Sequence, residues 1–264
     1  MKQVYIIQEN NPKLLLFFAG WAADETPFKQ YRPKDMDYMI CYDYRTLDFD
    51  ASFLERYRQV NVVAWSMGVW GASVVLRPLP KEKLFGIAFN GTIHPISDEE
   101  GIPIKTFHAT LNNLTPASLQ KFMRRMCKDS KAYRAFLDIT PRRDFDEIKQ
   151  ELELLEQRYI QLENITINKK NGYDYPENFG EDDCGDDQFE YTYSFIGKND
   201  RIFPPQNLML SYECMEERNR IVADCAHYDE PMFRFLLQDV WSLTIDDFFK
   251  QLEAMNTGGY EYEY

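Results

Sequence analysis

Val62-Val63-Ala64-Trp65-Ser66-Met67-Gly68-Val69-Trp70-Gly71-Ala72 decides the fold of this 264-residue chain. Residues 61–65 form a short, near-continuous apolar run, the pattern of a strand buried on both faces. Residues 67–76 read as a helix, which Pro78 and Pro80 stop. A serine at a sharp strand-to-helix junction lies on a strained turn that calls for small residues two positions before and after it. Ala64 and Gly68 meet that requirement, with alanine where glycine is usual. Gly71 and Ala72 let the helix approach the sheet closely, and the turn puts Ser66 near the helix N-terminus, where developing negative charge is favoured. Taken alone, the pattern suits equally well a serine that caps an ordinary helix after a strand.

Further apolar runs at 4–7, 14–18, 38–42 and 84–89 flank this unit. Strand, helix and strand from 61 to 89 make a βαβ unit and imply a mostly parallel sheet. Lys13 and the apolar residues 14–23 imitate a short secretion leader, but a strand pattern at 4–7 and the acidic Glu9 precede them, so we read a buried strand and its loop. From 102 to 162 the pattern turns helical. Thr115-Pro116-Ala117-Ser118 looks like an N-cap with proline at the first helical position, and a second helix starts near Asp144. This block lies between the two halves of the sheet, where an inserted lid is expected. Residues 163–190 are dense in Asn, Gly and Asp and are expected to form an exposed acidic loop. The sheet pattern resumes at 191–197 and 220–225. A last amphipathic helix is expected over 232–255, broken near Thr244, and 258–264 reads as a flexible, tyrosine-rich tail. We find no internal repeat and expect one α/β domain.

A serine nucleophile needs a base, and the chain has only His94, His108 and His227. His227 follows the last expected strand, where a loop could carry it over the serine. His94 and His108 read as surface or hydrogen-bonded histidines. The acid should sit just after the preceding strand, and Asp200 does so, in the short loop of Gly197-Lys198-Asn199-Asp200-Arg201-Ile202-Phe203-Pro204. A turn aspartate is the plainer alternative. Serine, acid and histidine then follow in the chain order of an α/β-hydrolase. Oxyanion donors are expected at the N–H of Met67, after the nucleophile, and at Trp21, where Gly20 allows a tight turn. Trp21 also suits a core aromatic. The expected architecture is thus a mostly parallel sheet with helices on both faces and an inserted helical lid.

The five cysteines, Cys41, Cys127, Cys184, Cys214 and Cys225, are widely spaced, with no CxxC pair. Neither a disulfide framework nor a zinc site is indicated, which suits a reducing compartment. No cofactor is needed for the chemistry of a serine triad. No apolar run approaches the roughly 18 residues of a membrane span. A net charge of −13 argues against nucleic acid as a general partner. Residues 121–143, however, hold eight basic side chains, including Lys121, Arg124, Arg125, Lys128, Arg142 and Arg143, against two acidic ones. A local basic patch on an acidic protein favours an acidic partner, although a solvated helix face is the bland alternative.

Phe17-Phe18-Ala19-Gly20-Trp21-Ala22-Ala23-Asp24, the Ala64–Gly68 elbow, the Gly197–Pro204 stretch and Ala226-His227-Tyr228 together resemble the BioG type of pimeloyl-[acyl-carrier protein] methyl ester esterase. The resemblance runs in order over most of the chain. It implies a cytoplasmic enzyme of biotin synthesis that removes the methyl group from a pimeloyl thioester held on acyl-carrier protein. Ser66, Asp200 and His227 are the residues it carries over. The acidic stretch near Asp182 is longer than the family pattern. Acyl-carrier protein is strongly acidic, so Lys121, Arg124, Arg125 and Lys128, at helical spacing, become the expected contact surface. A hydrolase of other acyl esters or thioesters, and a non-catalytic binding protein of the same fold, are the rival readings.

Overall fold

The computed structural model describes residues 1–162, 167–170, 173–176 and 189–255. Its strands are β1 (Lys2–Ile7), β2 (Lys13–Phe18), β3 (Asp37–Tyr42), β4 (Gln59–Trp65), β5 (Leu84–Phe89), β6 (Ile167–Lys170), β7 (Tyr173–Pro176), β8 (Tyr193–Gly197) and β9 (Arg220–Ala223). The helices are α1 (Met67–Leu76), α2 (Ile104–Asn112), α3 (Pro116–Met126), α4 (Ser130–Leu137), α5 (Phe145–Leu162), α6 (Pro205–Ser211), α7 (Glu230–Leu237) and α8 (Ile245–Met255). Seven strands form one sheet in the order β1-β3-β2-β4-β5-β8-β9. Only the β1–β3 pairing is antiparallel. This is the mostly parallel sheet of an α/β-hydrolase.

Successive strand residues point to opposite faces, and both faces are covered. Phe17 meets Phe28 and Phe233 of α7 on one face, while its neighbour Phe18 meets Phe49 on the other. Leu14 to Phe18 and Val62 to Ala64 are all buried completely. Lys13–Phe18, the stretch that imitates a leader, pairs with both β3 and β4 inside the sheet. Cys41, Cys127 and Cys225 are buried, and burial pushes the Cys127 thiol up to about 11, so it stays a protonated filler.

The helical block lies between β5 and β8, as α2 to α5. The N-cap expected at Thr115 is present, with Thr115 and Ser118 bonding reciprocally around Pro116. Two expectations need correction, and a third holds with different bounds. The expected acidic loop contains a backbone hairpin, β6 paired antiparallel with β7; the rest of 163–188, like the tail at 258–264, lies outside the described residues. The last helix, expected over 232–255 with a break near Thr244, does divide there: α7 starts at Glu230 behind an Asp229 cap, and the interruption over 238–244 is wider than a single residue. Strand β9 stops at Ala223, because the Cys225 N–H turns back onto the Ala223 carbonyl. Among the described residues no helix is long and apolar enough to cross a membrane.

Candidate active site

The turn between β4 and α1 is strained as its sequence requires. Ser66 has φ 60° and ψ −132°, a region that costs about 1–3 kcal/mol for a non-glycine residue. Neighbouring backbone holds it there. The Ser66 N–H donates to the Phe89 carbonyl at 3.0 Å, and its carbonyl accepts from Val69 N–H at 3.0 Å. A Cβ on Gly68 would come within 2.4 Å of the Phe18 carbonyl oxygen, so only glycine lets α1 start so close to β2. A Cβ on Gly91 would lie 2.2 Å from the Ser66 carbonyl oxygen. Gly91→Ala is therefore expected to push on the elbow itself. The urea midpoint should fall by the equivalent of about 1–3 kcal/mol, the usual cost of overpacking, and an unchanged midpoint would show that the turn has slack.

Ser66, Asp200 and His227 meet at the carboxyl ends of β4, β8 and β9. His227 Nε2 lies 3.1 Å from Ser66 Oγ, and His227 Nδ1 lies 2.7 Å from Asp200 Oδ2. All three are buried, with exposures of 5%, 6% and 1% for Ser66, Asp200 and His227. The other Asp200 oxygen accepts the N–H groups of Ile202 and Phe203 at 2.7 and 3.0 Å, which fixes the carboxylate plane. A serine hydroxyl, an imidazole and a buried carboxylate in one hydrogen-bonded row can generate an alkoxide nucleophile and pass its proton to a leaving group.

The elements around His227 were not foreseen. Its main-chain carbonyl accepts the Trp65 indole N–H at 2.8 Å and the Asn90 side-chain amide at 3.2 Å. Asn90 also donates to the Ala226 carbonyl at 2.8 Å and accepts the Gly197 N–H at 2.6 Å. One buried side chain, itself at φ 47°, thus ties the loops that carry Asp200 and His227. Phe203 stacks on the imidazole with an interplanar angle of 13°. An Asn-Gly pair directly after a buried strand is the sequence signal that could have marked this position.

Gly20 is packed against the nucleophile: a Cβ there would meet Ser66 Cβ at 2.9 Å. Trp21 and Met67 therefore flank the serine, and among the described residues neither main-chain N–H has a protein acceptor. Two unpaired N–H groups beside a nucleophile can bind a developing oxyanion. The Trp21 side chain is also a core aromatic. Its indole N–H donates to the Ile148 carbonyl of α5 at 2.9 Å, and its ring meets Phe122 edge-on.

The cavity over Ser66 holds about 490 Å³, part of it open to solvent, and its walls come from α2, α3 and α5 as well as from the sheet. Phe107, Phe122, Met126 and Leu152 make it apolar, while Thr106, Thr110 and Arg125 supply polar groups. Of the basic residues expected to contact a partner, Lys121, Arg124 and Arg125 are exposed on α3. Lys128 is exposed too, but the helix ends at Met126, so it stands beyond the cap, 3.6 Å from Asp224. Arg143 does not belong to the surface patch. Its side chain is 3% exposed and pairs with Glu151 at 2.6 Å and Asp43 at 3.1 Å. Burial raises the Asp43 carboxyl, but Arg45 and Arg143 outweigh it and hold the group at about 2. Burial pushes the Glu151 carboxyl up, against the pull of Arg143 and of the Tyr44 and Ala22 N–H groups. His108 is hydrogen-bonded to Glu156, and His94 faces Glu100. Among the described residues no group of three His, Cys, Asp or Glu side chains is placed to hold a metal.

Comparison with known proteins agrees with this fold. An esterase from Thermogutta terrifontis, only 13% identical, superposes with a TM-score of 0.55 over 97% of this chain and 100% of its own, a likeness of fold. A Bacteroides fragilis protein named malonyl-[acyl-carrier protein] O-methyltransferase is 43% identical over 222 residues, 83% of this chain. The matched stretch spans only 40% of that relative's length. The crystal structure of BioG from Haemophilus influenzae is 32% identical, with a TM-score of 0.72 over 90% of this chain and all of that one. The family described as pimeloyl-ACP methyl esterase BioG matches residues 1–167. The fold, these relatives and that match lead to one conclusion: the chain belongs to the BioG family.

Proposed function

We propose that the protein is a serine carboxylesterase that hydrolyses the methyl ester of a pimeloyl chain carried on acyl-carrier protein, with Ser66, His227 and Asp200 as its triad. The observation that carries this reading is the continuous row from Ser66 Oγ through the imidazole to Asp200, at 3.1 and 2.7 Å. His227 takes the hydroxyl proton as Ser66 attacks the ester carbonyl. The N–H groups of Met67 and Trp21 stabilise the oxyanion. His227 then gives the proton to the departing methoxy group, which leaves as methanol. Water, activated by the same imidazole, attacks the acyl-serine, releases the free carboxyl end and returns the proton to Ser66.

Family membership favours this substrate over other acyl esters. The B. fragilis relative is named for methyl transfer to a carrier-bound acid; the step proposed here breaks a methyl ester on a carrier-bound acid. Helices α2 to α5 serve as a lid, and the apolar walls at Phe107, Phe122 and Leu152 suit an aliphatic chain. Lys121, Arg124, Arg125 and Lys128 receive the acidic carrier, in the compartment where carrier-bound synthesis takes place, the cytoplasm.

The test is hydrolysis of pimeloyl-carrier methyl ester beside a small methyl ester, each followed by mass spectrometry and over a range of salt. Turnover of the carrier-bound ester is expected to be favoured and to fall as ionic strength rises, because exposed charges are screened beyond about 8–10 Å. Turnover of the small ester should change little. Equal salt dependence of the two would remove the basic surface from substrate selection. Complementation of a strain lacking its own pimeloyl methyl esterase gives the same answer in cells.

A further inference from the structure

Residues Gly20 to Asp24 form a loop whose conformation is costly. Ala22 has φ 64°, in the left-handed region that a side chain disfavours. Something must hold the chain there, and the loop is anchored almost wholly to one segment, residues 142–151. The Ala22 N–H donates to Glu151 Oε2 at 3.2 Å, and the Trp21 indole donates to the Ile148 carbonyl. Asp24 Oδ2 accepts the Arg142 N–H at 2.6 Å, and the Ala23 carbonyl accepts from Arg143 at 3.4 Å. The second Glu151 oxygen accepts the Tyr44 N–H at 2.7 Å, and the Tyr44 hydroxyl donates to the Ala19 carbonyl at 2.6 Å. Glu151 is wholly buried on α5 and paired with Arg143.

We infer that Glu151, held by Arg143, is the positioning residue of the oxyanion loop, so that the base of the helical insertion sets where the Trp21 N–H points. This rests on the reading of Trp21 as an oxyanion donor. Glu151 does not itself reach the reacting atoms; it acts through Ala22, whose fixed N–H orients the peptide next to the Trp21 N–H. A buried ion pair is a poor source of stability compared with apolar packing. Its two oxygens, however, satisfy one N–H on each of two loops, and no apolar residue can do that. A glutamine cannot either, because its single carbonyl oxygen serves one N–H while its amide group is turned toward a donor.

The test compares wild-type protein with Glu151→Gln. Amide exchange of residues 20–24 is read by mass spectrometry. Turnover of a short p-nitrophenyl ester gives kcat and KM, and a trifluoromethyl ketone reports affinity for a tetrahedral adduct. Loss of one oxyanion donor costs about 10²–10³ in kcat, so a displaced donor should cost about 10- to 100-fold. We expect exchange in 20–24 to quicken at least about tenfold, kcat to fall as stated, KM to stay within about twofold and ketone affinity to fall with kcat. A folded variant with wild-type exchange in 20–24 overturns the inference. So does faster exchange with kcat and ketone affinity unchanged, which would make the pair merely structural. If Glu151→Gln does not fold, Arg143→Lys keeps the positive charge, removes the fork, and is held to the same readouts. Failure of the esterase reading looks different: wild-type protein itself would neither turn over esters nor react with a fluorophosphonate, and the exchange measurement would still decide whether Glu151 holds the loop.

Discussion

Ser66→Ala is expected to lower kcat on a short p-nitrophenyl ester by about 10⁴- to 10⁶-fold, the range found when a triad nucleophile is removed. Among the described residues, Ser66 Oγ is the hydroxyl at hydrogen-bond distance from His227 Nε2, at 3.1 Å. Removing it leaves no atom to form the acyl-enzyme. The residual rate should come from the Met67 and Trp21 N–H groups and from binding, which assist attack by water. The substitution is mild for the fold. Alanine keeps the Cβ that Gly20 packs against, and it bears the same φ of 60° as serine. Chemical melting should therefore shift little, and reaction with a fluorophosphonate should disappear. Undiminished turnover in a folded Ser66→Ala protein would take Ser66 out of the chemistry. Reaction with the phosphonate elsewhere would point to a different nucleophile.

The parts of this site that could be read from sequence were those whose physics is local. The elbow showed itself because a strained turn accepts only small neighbours, and Ala64 and Gly68 stand at the required positions. Strands covered on both faces showed as unbroken apolar runs, and β5 and α1 begin and end where those runs did. What stayed hidden depends on partners far along the chain. Arg142 and Arg143 are adjacent and chemically alike, yet one is exposed and the other sits between Asp43 and Glu151, 100 residues away on one side and eight on the other. No local pattern separates them. Glu151 did leave a trace. It falls on the same helical stripe as the buried Ile148, Leu152, Leu155 and Tyr159, and a carboxylate on an apolar stripe needs a buried partner. The division of the last helix was legible at Thr244, which caps the second of the two helices, but not over the whole of 238–244, where the apolar residues Val240, Trp241 and Leu243 run on.

Asp200→Asn should be nearly as damaging as loss of the serine, by about 10⁴-fold in kcat at neutral pH, and for a different reason. Asp200 Oδ1 accepts two main-chain N–H groups, from Ile202 and Phe203. An asparagine at this position must keep its carbonyl oxygen on that side, because an amide NH₂ facing two donors is untenable. The NH₂ group then faces His227 Nδ1, 2.7 Å away in the wild-type row. A donor opposite Nδ1 makes that nitrogen an acceptor and moves the ring proton to Nε2, where Ser66 needs a base. The imidazole should not move. Trp65 and Asn90 hold its main-chain carbonyl, and Phe203 lies flat against the ring. Position and proton are thereby separated. KM and the melting curve should stay near wild type, while ¹⁵N resonances of the imidazole report the exchanged tautomer. If kcat fell less than about tenfold with the tautomer reversed, Asp200 would be an anchor for the 200–203 turn, and the base would owe its proton bookkeeping to some other group.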